Sequence, residues 1–156
     1  MKVLLFSLLG LFAASCGSLV PKANVEKDRL SGREAVALLV LPNVLPTRQS
    51  DLNIIYLASE AIDTRNVAQL LNLQSRGDYV LLVGNESEVV GSRRLDKKTG
   101  KPCAVINLIF EQSDDSTIDL KILYEGHRLE WSIETFTLTL EAGIWRIKGH
   151  KVNAMT

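Results

Sequence analysis

Apolar and polar residues follow two different periods along this chain, and the change of period divides it. Ser31-Gly32-Arg33-Glu34 has the Ser-x-x-Glu spacing of a capping box, and it leads into an apolar run over 35–41 that Pro42 ends. This predicts a short helix, with a buried strand as the alternative because the run is continuous and partly β-branched. Ser50 can cap a second helix with Asp51 in its first turn. Leu52, Ile55, Tyr56, Ser59 and Ile62 fall on one stripe of that helix, widened by Ile54, Ala58 and Ala61. Asp63-Thr64 interrupts, and Val67, Leu70, Leu71 and Gln74 carry a short third helix that Gly77 stops.

Beyond Gly77 the pattern is that of strands and turns. Residues 79–83 read as a short strand, 91–102 as a polar loop, and 104–110 as a strand covered on both faces. After a turn at 113–116, Ile118, Leu120, Ile122 and Tyr124 alternate with mostly polar neighbours. The longest strand is predicted over 127–141. Its apolar residues are odd-numbered at Leu129, Trp131 and Ile133 and even-numbered at Phe136, Leu138 and Leu140. A slip of one residue reverses the face, so a β-bulge or sharp bend is expected near Glu134-Thr135, keeping these side chains on one face. Ala142-Gly143 turns the chain into a last strand over 144–148. Trp131 and Trp145 are expected in one core with Leu52 and Ile55. Helices followed by adjacent strands predict an α+β domain, its N-terminal helices packed on one face of a curved antiparallel sheet.

The first residues follow another rule. Lys2 precedes ten mostly apolar residues, Val3-Leu4-Leu5-Phe6-Ser7-Leu8-Leu9-Gly10-Leu11-Phe12, and then small ones. This is the pattern of a secretory signal, and it is shorter than the roughly 20 apolar residues that span a bilayer. Ala13-Ala14-Ser15-Cys16 resembles the lipobox of bacterial lipoproteins. The resemblance implies a diacylglyceryl group on the Cys16 thiol, cleavage before Cys16 and a stable lipid anchor. Gly17, where Asp tends to retain such proteins in the inner membrane, favours the outer membrane of a two-membrane envelope, facing the periplasm. A plain secretory signal cut near Ala14 or Ser15 is the alternative. The chain thus divides into a signal at 1–15, a tether at 16–29 and a single domain at 30–156.

Composition narrows the classes further. The chain has 156 residues, 46% hydrophobic and 23% charged, which excludes a disordered tail, a collagen-like fibre and a coiled coil. Basic and acidic residues are equal at 18 each, so no global charge invites nucleic acid. Two cysteines cannot make a disulfide framework. With Cys16 lipidated, Cys103 has no partner and is expected to be buried.

Two further stretches resemble nuclear transport factor 2-like domains. Asn53-Ile54-Ile55-Tyr56-Leu57-Ala58-Ser59-Glu60-Ala61-Ile62-Asp63-Thr64-Arg65-Asn66-Val67-Ala68-Gln69-Leu70-Leu71 is similar to that family's opening, an amphipathic helix, a polar break and a short leucine-bearing helix. Phe136-Thr137-Leu138-Thr139-Leu140-Glu141-Ala142-Gly143-Ile144-Trp145-Arg146-Ile147 is similar to its last hairpin. The resemblance implies a cone-shaped sheet. The family holds isomerases, dehydratases, ligand binders and non-catalytic domains, so the fold decides no activity. Its enzymes project Tyr, Asp or His into the cone. Tyr56 and Tyr79 are the pocket candidates here, and core packing is the simpler role for both.

Little else suggests chemistry. Asp119 points away from Ile118 and Leu120, so no carboxylate pairs with the tyrosines on an inner face. Cys103 with His127 or His150 has no local nucleophile signature. The two histidines, 23 residues apart, have no further ligand at metal spacing; neither metal nor cofactor is implied. Arg93, Arg94, Lys97, Lys98 and Lys101 place five positive charges in nine residues against Asp96 alone, with Thr99-Gly100 at the tip. This is either a solvated loop or a contact for anionic lipid heads, a polyanion or an acidic envelope partner. Without interleaved aromatics it does not suit nucleic acid. The expectation is a lipid-anchored envelope protein with a non-catalytic partner-docking or ligand-binding module. The alternative is a small envelope enzyme or a hydrophobic-ligand carrier using the cone.

The lipid anchor has a direct test. In fractionated cells Cys16→Ser should move the protein from the membrane to the soluble fraction. A variant that still partitions with membranes as wild type does would refute lipidation.

Overall fold

The computed structural model describes residues 32–45, 53–75 and 78–155. The signal, the lipobox, the tether, Leu52 and the proposed cap Ser50-Asp51 lie outside them. Helix α1 spans Gly32–Val40 and tightens into a 3-10 turn at Leu41–Asn43. Pro42 cannot donate to a continuing helix. Asn43 closes the end by donating from Nδ2 to the carbonyls of Leu39 and Val40 at 3.1 and 3.2 Å.

The expected second helix is instead strand β1, Ile54–Ser59. Its run Ile-Ile-Tyr-Leu-Ala satisfies a helical stripe and a buried strand equally, because five continuous apolar positions have no readable period. The outcome is decided by neighbours. β1 lies between two parallel strands, β2 (Val80–Val83) and β5 (Cys103–Asp114), and a parallel strand enclosed in this way is continuously apolar. Ile55, Tyr56 and Leu57 are all buried. Asp63-Thr64 is therefore no break between helices. Asp63 is the N-cap of α2 (Thr64–Gln74), its side chain accepting the Arg65 N–H at 3.0 Å.

The remaining strands are β3 (Ser87–Val90), β4 (Arg93–Asp96), β6 (Thr117–Glu125), β7 (Trp131–Glu141) and β8 (Ile144–Met155). Six strands form one sheet in the order β2-β1-β5-β6-β7-β8, with β5 to β8 an antiparallel meander. β3 and β4 form a separate two-stranded hairpin, β4 falling within the stretch 91–102 read as a polar loop and β3 just before it. The architecture is α+β, with a mostly antiparallel sheet.

Strand alternation sorts the core. Val36, Ala37 and Val40 of α1 and Val67, Ala68 and Leu71 of α2 share one cluster with Ile55, Leu57, Ile106, Leu108, Ile118, Leu120, Ile122, Phe136 and Leu138. Tyr56, Cys103 and Val105, at the alternate positions of β1 and β5, form a second, smaller cluster. Trp145 packs on the larger cluster, as expected. Trp131 does not: it is 37% exposed at the start of β7.

The reason lies in where the bulges are. β7 runs in unbroken register with β6 from Thr117↔Thr139 to Glu125↔Trp131, so no bulge occurs at Glu134-Thr135 in that ladder. The register shifts occur between β7 and β8, at Ile133/Glu134 and Thr137/Leu138. Each leaves one extra residue on β8, Asn153 and Lys148. Because β7 stays regular, Trp131 and Ile133 face the side opposite Phe136 and Leu138. Leu129 is not in the strand; it belongs to the turn that precedes it, with φ of 64°.

Two substitutions separate these roles. Leu57→Ala, at a fully buried position of β1, should cost about 2–5 kcal/mol. That is a large share of the 5–15 kcal/mol typical of a domain. Trp131→Ala should leave the denaturation midpoint close to wild type. A Trp131→Ala loss as large as that of Leu57→Ala would place Trp131 in the core after all.

Candidate functional site

The β3–β4 hairpin is built from turn chemistry. Gly91, with φ of 61°, reverses the chain where most side chains are strained. Asp96-Lys97-Lys98-Thr99-Gly100 makes the next turn, with Gly100 (φ 67°) donating its N–H to the Asp96 carbonyl at 2.8 Å. The Asp96 carboxylate folds over this turn and accepts from the Thr99 N–H at 2.8 Å and from the Thr99 hydroxyl. Its other oxygen accepts the Tyr56 hydroxyl at 2.5 Å.

Asp96 is only 2% exposed. Thr99, and after it Tyr56, hold its carboxyl below the usual carboxylate range. Burial first, then the bond to Asp96, pushes the Tyr56 phenol above its ordinary value. Burial, helped by the Asp96 charge, raises the Cys103 thiol to about 11. This thiol is protonated at neutral pH and is no ready nucleophile. In the sequence Asp96 stands out only as a charge opposing the lysines. Its signal was the Asp-x-x-Thr-Gly turn, in which the carboxylate caps its own backbone.

The five cations of this segment separate into groups. Arg94 turns inward: its guanidinium pairs with Glu125 and donates to the Ser87 hydroxyl at 3.0 Å, while its N–H donates to the His127 carbonyl at 2.7 Å. Arg93, Lys97, Lys98 and Lys101 are exposed. Arg93 begins β4 and Lys97 follows its end, so about 13 Å of extended strand separates them. The histidines have other neighbours: the ring of His127 lies 3.9 Å from Glu130. His150 stacks on Phe136 with centroids 4.2 Å apart, and its Nε2 is 2.6 Å from Glu134 Oε2. Among the described residues no group of three His, Cys, Asp or Glu is placed to hold a metal.

A groove of about 450 Å³ lies elsewhere, between α2 and the edge strand β2, and its lining includes Ala68, Asn72, Leu73, Leu82 and Val83. Tyr56 and Tyr79 are not part of that lining; Tyr79 is half-buried against the main core. The groove also contains a bidentate contact. Asn72 donates to the Leu81 carbonyl at 2.9 Å and accepts the Leu81 N–H at 2.7 Å, as a neighbouring strand would. Of the two stretches similar to nuclear transport factor 2-like domains, residues 136–147 form the β7–β8 hairpin. Residues 53–71 form a strand, a turn and a helix in place of two helices. No family model matches this chain, and no curated protein and no solved structure matches it.

The Tyr56–Asp96 pair sets a pH dependence at both ends. The folded-state pKa of Asp96 is depressed, so its contribution is present above the unfolded value of about 3.9 and is lost as pH falls through the folded one. That of Tyr56 is raised, so its contribution is present below about 10 and is lost as pH rises through the folded value. Urea denaturation across pH should show a shallower acid limb for Asp96→Asn and a shallower alkaline limb for Tyr56→Phe. Limbs that superimpose on wild type would mean the pair is not coupled to folding.

Proposed function

We propose that this chain is an envelope lipoprotein, anchored through Cys16 in an outer membrane and facing the periplasm, whose domain docks an anionic partner without catalysis. The observation that carries the reading is the division of labour in the hairpin segment. Tyr56, Asp96, Thr99, Arg94 and Glu125 are engaged with one another and fix the hairpin to the sheet. Arg93, Lys97, Lys98 and Lys101 are left in solvent. Charges presented on a braced support lose little on binding, and they steer an oppositely charged partner from a distance.

The finer fold belongs to the same proposal. We read both helices as lying on one face of a cone-like sheet within a single domain at 30–156. The closing hairpin supports a nuclear transport factor 2-like kinship. The apolar groove between α2 and β2 favours a second reading, a carrier of hydrophobic ligands, which would use that groove and not a cone mouth at Tyr56 and Tyr79.

Charge reversal at Arg93, Lys97, Lys98 and Lys101 should leave the melt unchanged and reduce recovery of the partner from intact envelopes. Wild-type recovery should itself fall as salt shortens the screening length from about 8 Å at physiological ionic strength. Arg94→Glu should behave differently and lower stability, because it sets two carboxylates against each other at Glu125. Unchanged recovery at low salt for the fourfold reversal would leave the cations as a solvated surface only.

A further inference from the structure

Two turns meet beside the Arg94–Glu125 pair. The β3–β4 turn is held to the turn between β6 and β7 by the Arg94 N–H on the His127 carbonyl, 2.7 Å, and by the Arg94 guanidinium on Glu125. Trp131 is the cross-strand partner of Glu125, and Val89 is that of Arg94. Val89 and Trp131 therefore flank the ion pair, Val90 lies on the other face of the hairpin opposite Arg93, and Leu129 sits in the adjoining turn. All four reach solvent, Val89 and Val90 each 53% exposed, Leu129 39% and Trp131 37%.

Leu129 is held in place. Its φ of 64° lies in the left-handed region that a leucine rarely adopts. Glu130 braces the turn, its carbonyl accepting the Gly126 N–H and its carboxylate the Arg128 N–H, both at 2.7 Å. The fold thus spends an unfavourable backbone conformation on displaying a leucine to water. Arg93, the first residue of β4, and Arg128, in the turn before β7, are exposed, and Lys97, Lys98 and Lys101 are further exposed cations of the hairpin segment. The exposed acids of the hairpin segment are Glu86 and Glu88.

We propose that this double turn is a membrane-contacting tip. It sets Val89, Val90, Leu129 and Trp131 among the headgroups of an anionic bilayer, with Arg93 and Arg128 on the lipid phosphates. This rests on the docking reading above and names its partner as the bilayer itself. Three features favour a bilayer over a protein. The surface is two adjoining turns, whereas a stable protein interface takes about 800 Å² of matched surface from each side. Its apolar and cationic groups are interspersed, as at a headgroup layer, where tryptophan is enriched. The sixteen residue-to-residue steps from Cys16 to Gly32 span at most about 55 Å when extended, so an anchored domain stays within reach of the membrane.

The test uses the full mature chain bound to vesicles. A nitroxide is placed at Val90→Cys, or at Leu73→Cys in α2 as a control, on vesicles of phosphatidylcholine alone or mixed with phosphatidylglycerol. On mixed vesicles the label at position 90 should lose accessibility to a water-soluble nickel chelate and gain it to oxygen, while the label at 73 should not. Arg93→Glu with Arg128→Glu should return position 90 to water. In a Trp145→Phe background, brominated lipid should quench the remaining Trp131, a readout that leaves the tip unaltered. The proposal is overturned if position 90 stays as wet as position 73 on mixed vesicles and Trp131 is not quenched. It is also overturned if the label becomes shielded only when envelope protein is added, which would make the tip a protein contact. Sedimentation with phosphatidylcholine vesicles, compared between wild type and Cys16→Ser, reads the anchor separately.

Discussion

The enclosure of β1 between two parallel strands is the constraint on which the rest of this fold depends. A strand with neighbours on both sides can satisfy every backbone group and bury both faces. Ile55 and Leu57 then enter the main core, and Tyr56 is turned to the other side. The parallel pairing with β2 requires a crossover, which α2 supplies, and that places Val67, Ala68 and Leu71 in the same core. Tyr56, carried to the opposite face, is the post to which Asp96 and the hairpin are tied. Without β1 in this position, neither the main core nor the smaller cluster would close.

A sheet with β2 and β8 at its borders must also manage two edges. Their solutions differ. β2 is short and apolar, so the cover comes from α2. Val80 and Gly84 donate to the Asn53 carbonyl just before β1 and the Leu57 carbonyl within it, while the Leu81 side chain is buried in the core and its N–H and carbonyl point away from β1. Asn72 then completes the Leu81 peptide with its side-chain amide, and the Ser75 hydroxyl donates to the Tyr79 carbonyl at 3.3 Å. The end of α2 substitutes for a seventh strand. β8 is long, and it is interrupted by two extra residues and carries Arg146, Lys148 and Lys151, which oppose continuation by another chain.

The sequence made the later strands legible and concealed the earlier ones, for a physical reason. From β5 onward the strands are bounded by glycine and aspartate turns, and one-sided burial writes a period of two into β6 and part of β7. β1 is buried on both sides, which erases periodicity and makes it look like part of a helix. The bulges were misplaced because the slip in apolar positions along β7 has another origin. Its odd residues serve the outer face and its even ones the core, while the irregularity sits in β8. The candidate site was legible only by composition. Five cations in nine residues are evident in the chain, but nothing in their spacing distinguishes Arg94, which faces Glu125, from Arg93, which faces water. That difference is produced by β-strand alternation in a hairpin the sequence did not announce. Asp96 was hidden in the same way, since its partner Tyr56 is 40 residues away.

Arg94 joins the main sheet to the hairpin that carries the exposed cations. Its partner Glu125 lies at the end of β6 and His127 two residues later, so a single side chain and its own N–H fix the hairpin against the main sheet at two neighbouring points. A mobile hairpin would lose conformational freedom on meeting any surface, and that cost would oppose binding. A hairpin already held by Arg94 at one end and by Asp96–Tyr56 at the other has met most of that cost during folding. In the proposed docking, the inward cation would strengthen the action of the outward ones without touching the partner.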